Sequence, residues 1–121
     1  MVDIGEKDVV YISAPMTGLP NFGRGRMRFV ADLIRERFPN VKVVNPADNS
    51  PKWSWEQNME YDMRVLREEA TIMVLLSGWE KSRGARMEVG LAIERNLPIV
   101  SFEELLQSCL PAMHLTEVDH G

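Results

Sequence analysis

The chain has 121 residues, of which 45% are hydrophobic and 26% charged, and its formal net charge is −4. This length and composition are typical of one globular domain with a core of its own. The acidic balance argues against non-specific binding to a nucleic acid polymer or an anionic membrane, and no apolar run is long enough to span a bilayer. The single cysteine, Cys109, rules out an internal disulfide, so we expect a cytoplasmic protein.

Short β-branched runs alternate with segments of helical periodicity along the whole chain. Strands are predicted at 8–14, 41–44, 71–76 and 98–101, and helices at 26–38, 54–69, 82–96 and 102–108. A loop rich in proline and glycine precedes the first helix, and a capping box formed by Ser54 and Gln57 begins the second.

This alternation predicts parallel strands joined by right-handed crossovers. The expected fold class is α/β, with a single Rossmann-like (flavodoxin-like) three-layer domain over residues 1–110 and a parallel sheet of about four to five strands. Residues 111–121 form a C-terminal tail with few apolar residues, which we expect to be mobile.

Three loops follow predicted strands and carry polar side chains or small residues. Because ligands of open α/β sheets bind at the carboxyl ends of the strands, these loops supply the candidates for substrate binding. The candidates are Ser13, Ala14, Pro15, Met16 and Gly18 after the first strand, Asn45 and Asp48 after the second, and Trp79, Ser82 and Gly84 after the third. Trp53, Trp55 and Trp79 can stack on a flat heterocycle, or equally form a hydrophobic lid or a subunit contact.

The run 82–90, Ser-Arg-Gly-Ala-Arg-Met-Glu-Val-Gly, is the most informative segment of the chain. Ser82 and Gly84 lie at the start of a predicted helix, where a hydroxyl and main-chain N–H groups can bind an anion. Glu88 lies one further turn along, where the helix N-terminus is expected to favour the ionised form that a nucleophile needs. The alternative is a solvated glutamate paired with Arg86 or Arg95.

Asp62 and Tyr11 are two further candidates with structural alternatives. Asp62 lies beside an apolar stripe on the second predicted helix, where a carboxylate needs partners, and a salt bridge to Arg86 is the simpler explanation. Tyr11 shares a strand face with Ser13, and packing in the core would explain it equally well.

These segments resemble the nucleoside 2-deoxyribosyltransferase-like superfamily, and most of all a small branch common in phages and bacteria. Residues 11–18, Tyr-Ile-Ser-Ala-Pro-Met-Thr-Gly, are similar to the opening loop of that family, and Asp62 matches an aspartate that precedes an apolar strand. Ser82, Gly84, Glu88 and Gly90 match the catalytic run of the family position by position. The resemblance spans about residues 9–100.

The resemblance implies an N-glycosidase or deoxyribosyltransferase-like enzyme that cleaves the base–sugar bond of a (deoxy)nucleoside or its 5′-monophosphate. Glu88 would be the nucleophile at C1′, and Asp62 would orient the sugar or manage the proton of the leaving base. Tyr11 would hold Glu88 or the sugar, Ser82 would contact the 5′ end, and Gly18 would line the pocket.

The resemblance implies a homo-oligomer, either a dimer or a tetramer, whose partner is a small-molecule nucleoside or nucleotide, with no metal and no organic cofactor. Two other functions fit the same residues. One is a non-catalytic module that sequesters a nucleotide, and the other is a structural or regulatory oligomer in which Glu88 has lost its role.

Overall fold

A computed structural model of the chain describes residues 4–109, and the tail predicted at 111–121 lies outside these residues. The strands are β1 (Val9–Ser13), β2 (Lys42–Val44), β3 (Ile72–Leu75) and β4 (Ile99–Ser101). The helices are α1 (Arg24–Arg37), α2 (Trp55–Glu68), α3 (Arg83–Glu94) and α4 (Phe102–Cys109). Short 3-10 turns at Pro20–Gly23, Pro46–Asp48 and Trp79–Lys81 lie in the three loops that follow β1, β2 and β3.

The four strands form one sheet in the order β2-β1-β3-β4, and every pairing is parallel. The chain therefore leaves β1 toward one edge of the sheet and leaves β3 toward the other, which opens a crevice between their carboxyl ends. The predicted Rossmann-like, flavodoxin-like architecture is confirmed, and the sheet has four strands within residues 4–109.

Helices cover both faces of the sheet, which gives the three predicted layers. On one face, the buried side of α1 and the α4 residue Leu105 pack on alternate strand residues that include Val10, Ile12 and Val74. On the other face, α2 and α3 pack on Tyr11 and Met73 through residues such as Leu66 and Ala92. Because successive strand side chains point to opposite faces, Tyr11 and Ser13 both point toward α2 and α3.

The start of α2 follows the sequence expectation in atomic detail. The Ser54 hydroxyl accepts a 3.1 Å hydrogen bond from the Gln57 N–H, and the Gln57 amide oxygen accepts one of 2.7 Å from the Ser54 N–H. This capping box fixes the first turn of α2 and, with it, the direction in which Asp62 projects two turns later. None of the helices within residues 4–109 combines the length and the apolar character needed to cross a bilayer.

Candidate active site

Glu88 is buried beneath the carboxyl end of β1, although it is a glutamate in the middle of α3. Its side chain is only 5% exposed. The Tyr11 hydroxyl donates a 2.6 Å hydrogen bond to Oε2, and the Ser13 hydroxyl donates one of 2.6 Å to Oε1. Both oxygens of the carboxylate are thus held by donors from β1, an arrangement that suits a charged acceptor at a fixed position.

The arginines that offered the simpler explanation for Glu88 point elsewhere. Arg95 donates its hydrogen bonds to the main-chain oxygens of Leu66 and Ala70, at the end of α2 and just beyond it. Arg86 is exposed and reaches the main-chain oxygen of Glu80 at 3.5 Å. Glu88 therefore has hydroxyl partners in the core rather than a cation at the surface.

Asp62 is the second buried carboxylate, 4% exposed. Its Oδ1 accepts a 3.0 Å hydrogen bond from the side-chain amide of Asn49, which also donates to Oδ1 of Asn58 at 3.0 Å. Asn58 in turn donates a 2.9 Å hydrogen bond to the main-chain oxygen of Ser54. A chain of amides thus connects Asp62 to the capped start of α2, in place of the salt bridge to Arg86.

Burial raises the pKa of both carboxyls. The pKa of Glu88 rises to about 7 because burial outweighs the hydrogen bonds from Ser13 and Tyr11, and the nearby charge of Asp62 raises it further. The pKa of Asp62 rises to about 6 by burial, against the lowering effect of the hydrogen bond from Asn49 and of the nearby Tyr11 hydroxyl. The helix N-terminus was expected to favour ionised Glu88, so the observed direction is the opposite, because desolvation is the larger effect.

The Tyr11 hydroxyl lies between the two carboxyls. Its own pKa is raised well above the usual value by burial and by the charges of Glu88 and Asp62, so it keeps its proton. While it donates to Glu88, its oxygen can accept a hydrogen bond from a protonated Asp62. Tyr11 is thus hydrogen-bonded to Glu88 and close enough to Asp62 for the charge of Asp62 to raise its pKa.

The two carboxyls line one cavity of about 230 Å³, here called the carboxylate cavity. From the predicted set, its wall includes Ala14, Met16, Asp62, Ser82, Gly84 and Glu88. Gly84 contributes by its lack of a side chain, since a Cβ there would lie 3.2 Å from the Met59 sulfur. The Ser82 hydroxyl caps α3 by accepting a 3.2 Å hydrogen bond from the Ala85 N–H.

Five predicted binding residues lie outside the walls of the two cavities, and one of them, Ser13, is hydrogen-bonded to Glu88 instead. Asn45 is buried and caps the turn at Pro46–Asp48 by accepting from the Ala47 N–H at 3.0 Å. Asp48 is exposed, and Gly18 occupies a left-handed turn with φ of 84°. Trp79 packs against the core between the sheet and helices α2 and α3.

A second cavity of about 580 Å³ adjoins the first, and we call it the cationic cavity. Arg26, Lys81 and Arg83 are its charged wall residues, and Pro15 from the predicted set also lines it. Thr17, Trp55, Ser82 and Gly84 belong to the walls of both cavities. Ser82 and Gly84 therefore lie where the cavity that contains Asp62, Glu88 and Arg24 meets the cavity whose charged residues are all cations.

The sequence interpretation missed Asn49, Asn58 and Phe22, all in the wall of the carboxylate cavity. A signal existed for Asn58, because it precedes Asp62 by one helical turn and thus shares its face of α2. The position of Asn49 depends on the path of the loop after β2, which residue types alone do not determine.

Comparison with known proteins assigns the chain to a family. A family model described as a domain of unknown function (DUF4406) matches residues 8–101. The chain belongs to this family. The DUF4406 match begins one residue before β1 and ends with β4, so it includes the sheet and both carboxyls. No curated protein matches the chain.

Proposed function

We propose that the protein is an N-glycosidase or deoxyribosyltransferase-like enzyme that cleaves the base–sugar bond of a (deoxy)nucleoside or its 5′-monophosphate. The observation that carries the proposal is Glu88, a buried carboxylate fixed by two 2.6 Å hydrogen bonds in a cavity that also contains Asp62. Glycosidic bond cleavage through a covalent intermediate requires two carboxyls in one cavity, an ionised nucleophile and a protonated acid. Because the pKa of Glu88 is about 7 and that of Asp62 about 6, the form with Glu88 ionised and Asp62 protonated is the minor one of the two singly protonated forms, and the reaction proceeds through it.

In the first step, a carboxylate oxygen of Glu88 attacks C1′ of the sugar. The C1′–N bond breaks, and the base takes its electron pair and a proton from Asp62. The hydrogen bonds from Tyr11 and Ser13 hold the attacking carboxylate in place, so little reorganisation accompanies the reaction. The products of this step are the free base and an ester between Glu88 and C1′.

In the second step, a water molecule or a second base attacks C1′ of the ester. Asp62, now ionised, accepts the proton of that nucleophile, and the electron pair of the ester bond returns to Glu88. Because Asp62 alternates between acid and base, the enzyme returns to its starting protonation state. Hydrolysis and transfer differ only in the nucleophile of this step.

Base release tests the proposal. Purified protein is incubated with the four deoxynucleosides and their 5′-monophosphates, and the free base is measured by chromatography. Wild-type protein is expected to release base, and Glu88→Gln to release at least ~1,000-fold less because it lacks the nucleophile. Glu94→Gln is the matched control, since Glu94 is exposed on the same helix.

Trapping the ester tests the covalent step separately. A 2′-fluoro substrate destabilises the positive charge that develops at C1′, which slows formation and breakdown of the intermediate. Intact-protein mass spectrometry should then detect one added sugar on wild-type protein and none on Glu88→Gln. Binding of nucleotides without base release in any variant would instead identify a nucleotide-sequestering module, and neither binding nor release would leave a structural role.

The proposal includes the molecular context that the resemblance implies. The protein acts in the cytoplasm on small molecules rather than on a nucleic acid polymer, and it assembles as a homo-oligomer. Light scattering coupled to size-exclusion chromatography tests the assembly, for which a dimer or tetramer is expected.

A further inference from the structure

The cationic cavity is not used by the proposed function. Its three charged wall residues, Arg26, Lys81 and Arg83, are all cations, and its wall contains no carboxylate within the described part of the chain. The whole chain has a net charge of −4, so this local excess of positive charge opposes the overall balance. Such a compartment favours an anionic group.

Two of the three cations are held in place by protein contacts. The guanidinium of Arg26 donates hydrogen bonds of 3.1 Å and 3.4 Å to the main-chain and side-chain oxygens of Ser77. The guanidinium of Arg83 stacks 4.5 Å above the ring of Trp55. Because each guanidinium has five N–H donors, both retain donors for a ligand, and their fixed positions lower the entropic cost of binding.

The spacing along α3 relates the cationic cavity to the reacting carboxylate. Glu88 follows Ser82 by six residues, which corresponds to about 9 Å along the helix axis. A sugar with C1′ at Glu88 can thus direct its 5′ substituent toward Ser82 and Gly84, at the junction of the two cavities. Any group attached beyond a first 5′-phosphate would enter the cationic cavity.

We propose that the cationic cavity binds a second phosphate of the substrate, whose class is therefore a nucleoside carrying a 5′-pyrophosphoryl group. The inference rests on the proposed function, which sets the direction in which the ligand lies. Arg26, Lys81 and Arg83 offer charge-assisted hydrogen bonds to the additional phosphate oxygens. The wall of the carboxylate cavity holds Arg24 besides Asp62 and Glu88, whereas all three charged residues of the cationic cavity are cations, so the additional phosphate is favoured in the cationic cavity.

A binding measurement on Glu88→Gln tests the proposal without turnover. Isothermal titration calorimetry compares deoxynucleoside 5′-diphosphates with the matching monophosphates for each of the four bases. Each diphosphate that binds is expected to do so ~10-fold or more tightly than its monophosphate, a difference of about 1.4 kcal/mol. Inorganic pyrophosphate should compete more strongly than inorganic phosphate.

Variants of the cations identify the source of that preference. Lys81→Ala and Arg83→Ala are each expected to reduce the preference for the diphosphate at least ~3-fold while changing the affinity for the monophosphate little. Arg28→Ala is the matched control, because Arg28 is exposed and lies outside the walls of both cavities. Equal affinity for the two nucleotides, or a preference that survives the Lys81→Ala/Arg83→Ala double substitution, overturns the proposal.

The two proposals can fail separately. Base release from monophosphates, with no tighter binding of diphosphates, would leave the glycosidase function intact and overturn the assignment of the cationic cavity. Tighter binding of diphosphates that depends on Lys81 and Arg83, with no base release, would support the cavity assignment and overturn the catalytic function.

Discussion

The hydroxyl of Tyr11 and the carboxylate of Glu88 are 77 positions apart in the chain and 2.6 Å apart in the fold. Two independent regularities bring them together. The alternation of β1 directs Tyr11 toward α3, and the Ser82 cap sets the start of that helix and hence the level at which Glu88 projects. The contact thus depends on the local geometry of both elements.

Tyr11→Phe is expected to reduce base release at pH 7 by ~10-fold or more and to move the pH profile upward. The hydrogen bond that Tyr11 donates to Glu88 lowers the pKa of that carboxyl in the wild type, so this pKa rises when the bond is removed. The measurement is the pH dependence of base release. Tyr61→Phe is the control, since Tyr61 is half-buried against Trp53. An unchanged profile would mean that Tyr11 only fills the core.

Base release by the wild type is expected to follow a bell-shaped pH profile with its maximum between about pH 6 and pH 7. The pKa of Asp62 is about 6 and that of Glu88 about 7, so the pair holds one proton in this interval, and that proton resides mainly on Glu88. The reactive form, with Glu88 ionised and Asp62 protonated, is the minor tautomer of the same singly protonated pair, and its population follows the same bell shape. Below it both carboxyls are protonated and the nucleophile is lost, and above it both are ionised and the acid is lost. A rate that stays constant from pH 7 to pH 9 would contradict the role of the protonated partner.

The buried carboxyls also predict how stability changes with pH. The pKa of Glu88 rises from 4.5 in the unfolded chain to about 7 in the fold, so the folded state binds more protons between these values. The stabilisation that Glu88 contributes by taking up a proton in the fold is therefore lost as the pH rises from about 4.5 to about 7. The free energy of unfolding falls by about 3 kcal/mol in total over this interval. Glu88→Gln should remove this part of the pH dependence.

Denaturant unfolding at pH 4.5 and pH 8 measures that difference. Glu88→Gln is expected to be more stable than the wild type at pH 8 by ~1–3 kcal/mol and to show little advantage at pH 4.5. Glu94→Gln, on the exposed side of α3, should have the same free energy of unfolding as the wild type at both pH 4.5 and pH 8. A constant difference between Glu88→Gln and the wild type would show that ionisation of Glu88 is not the cause.

Asn49→Ala is expected to raise the pKa of Asp62, because the wild-type amide donates a 3.0 Å hydrogen bond that lowers it. The acidic limb of the pH profile should then move to higher pH, while the basic limb, which reports Glu88, moves little. Asn40→Ala is the control at an exposed position. Movement of both limbs, or of neither, would contradict a specific effect on Asp62.

The sequence predicted the features of the site that depend on regular structure. Tyr11 and Ser13 share a face because strands alternate, and Glu88 follows the cap of α3 by a fixed number of turns. The partner of Asp62 was not predictable, because Asn49 lies in an irregular loop whose path depends on tertiary packing. The pKa direction of Glu88 was wrong for a related reason, since the depth of burial is a property of the whole fold rather than of the helix.

Gly84 and Gly90 provide a matched pair on α3. A Cβ at Gly84 would lie 3.2 Å from the Met59 sulfur and 3.8 Å from Nε1 of Trp55, whereas a Cβ at Gly90 would have no neighbour within 4 Å. Gly90→Ala should therefore stabilise the protein by ~0.5–1 kcal/mol through helix propensity. Gly84→Ala should be less stable than Gly90→Ala by about 1 kcal/mol, because Met59 must move by a few tenths of an ångström to admit the new Cβ.

Gly84→Ala should also raise KM for base release more than it lowers kcat. Gly84 lines the space that the substrate occupies, whereas the hydrogen bonds that hold the Glu88 carboxylate come from Tyr11 and Ser13. Chemical denaturation and steady-state kinetics on both variants check the two effects. If Gly84→Ala stabilised the protein as much as Gly90→Ala, the close packing of α2 against the start of α3 would have no energetic importance. If it lowered kcat alone, Gly84 would act on the reacting groups rather than on the space that the substrate occupies.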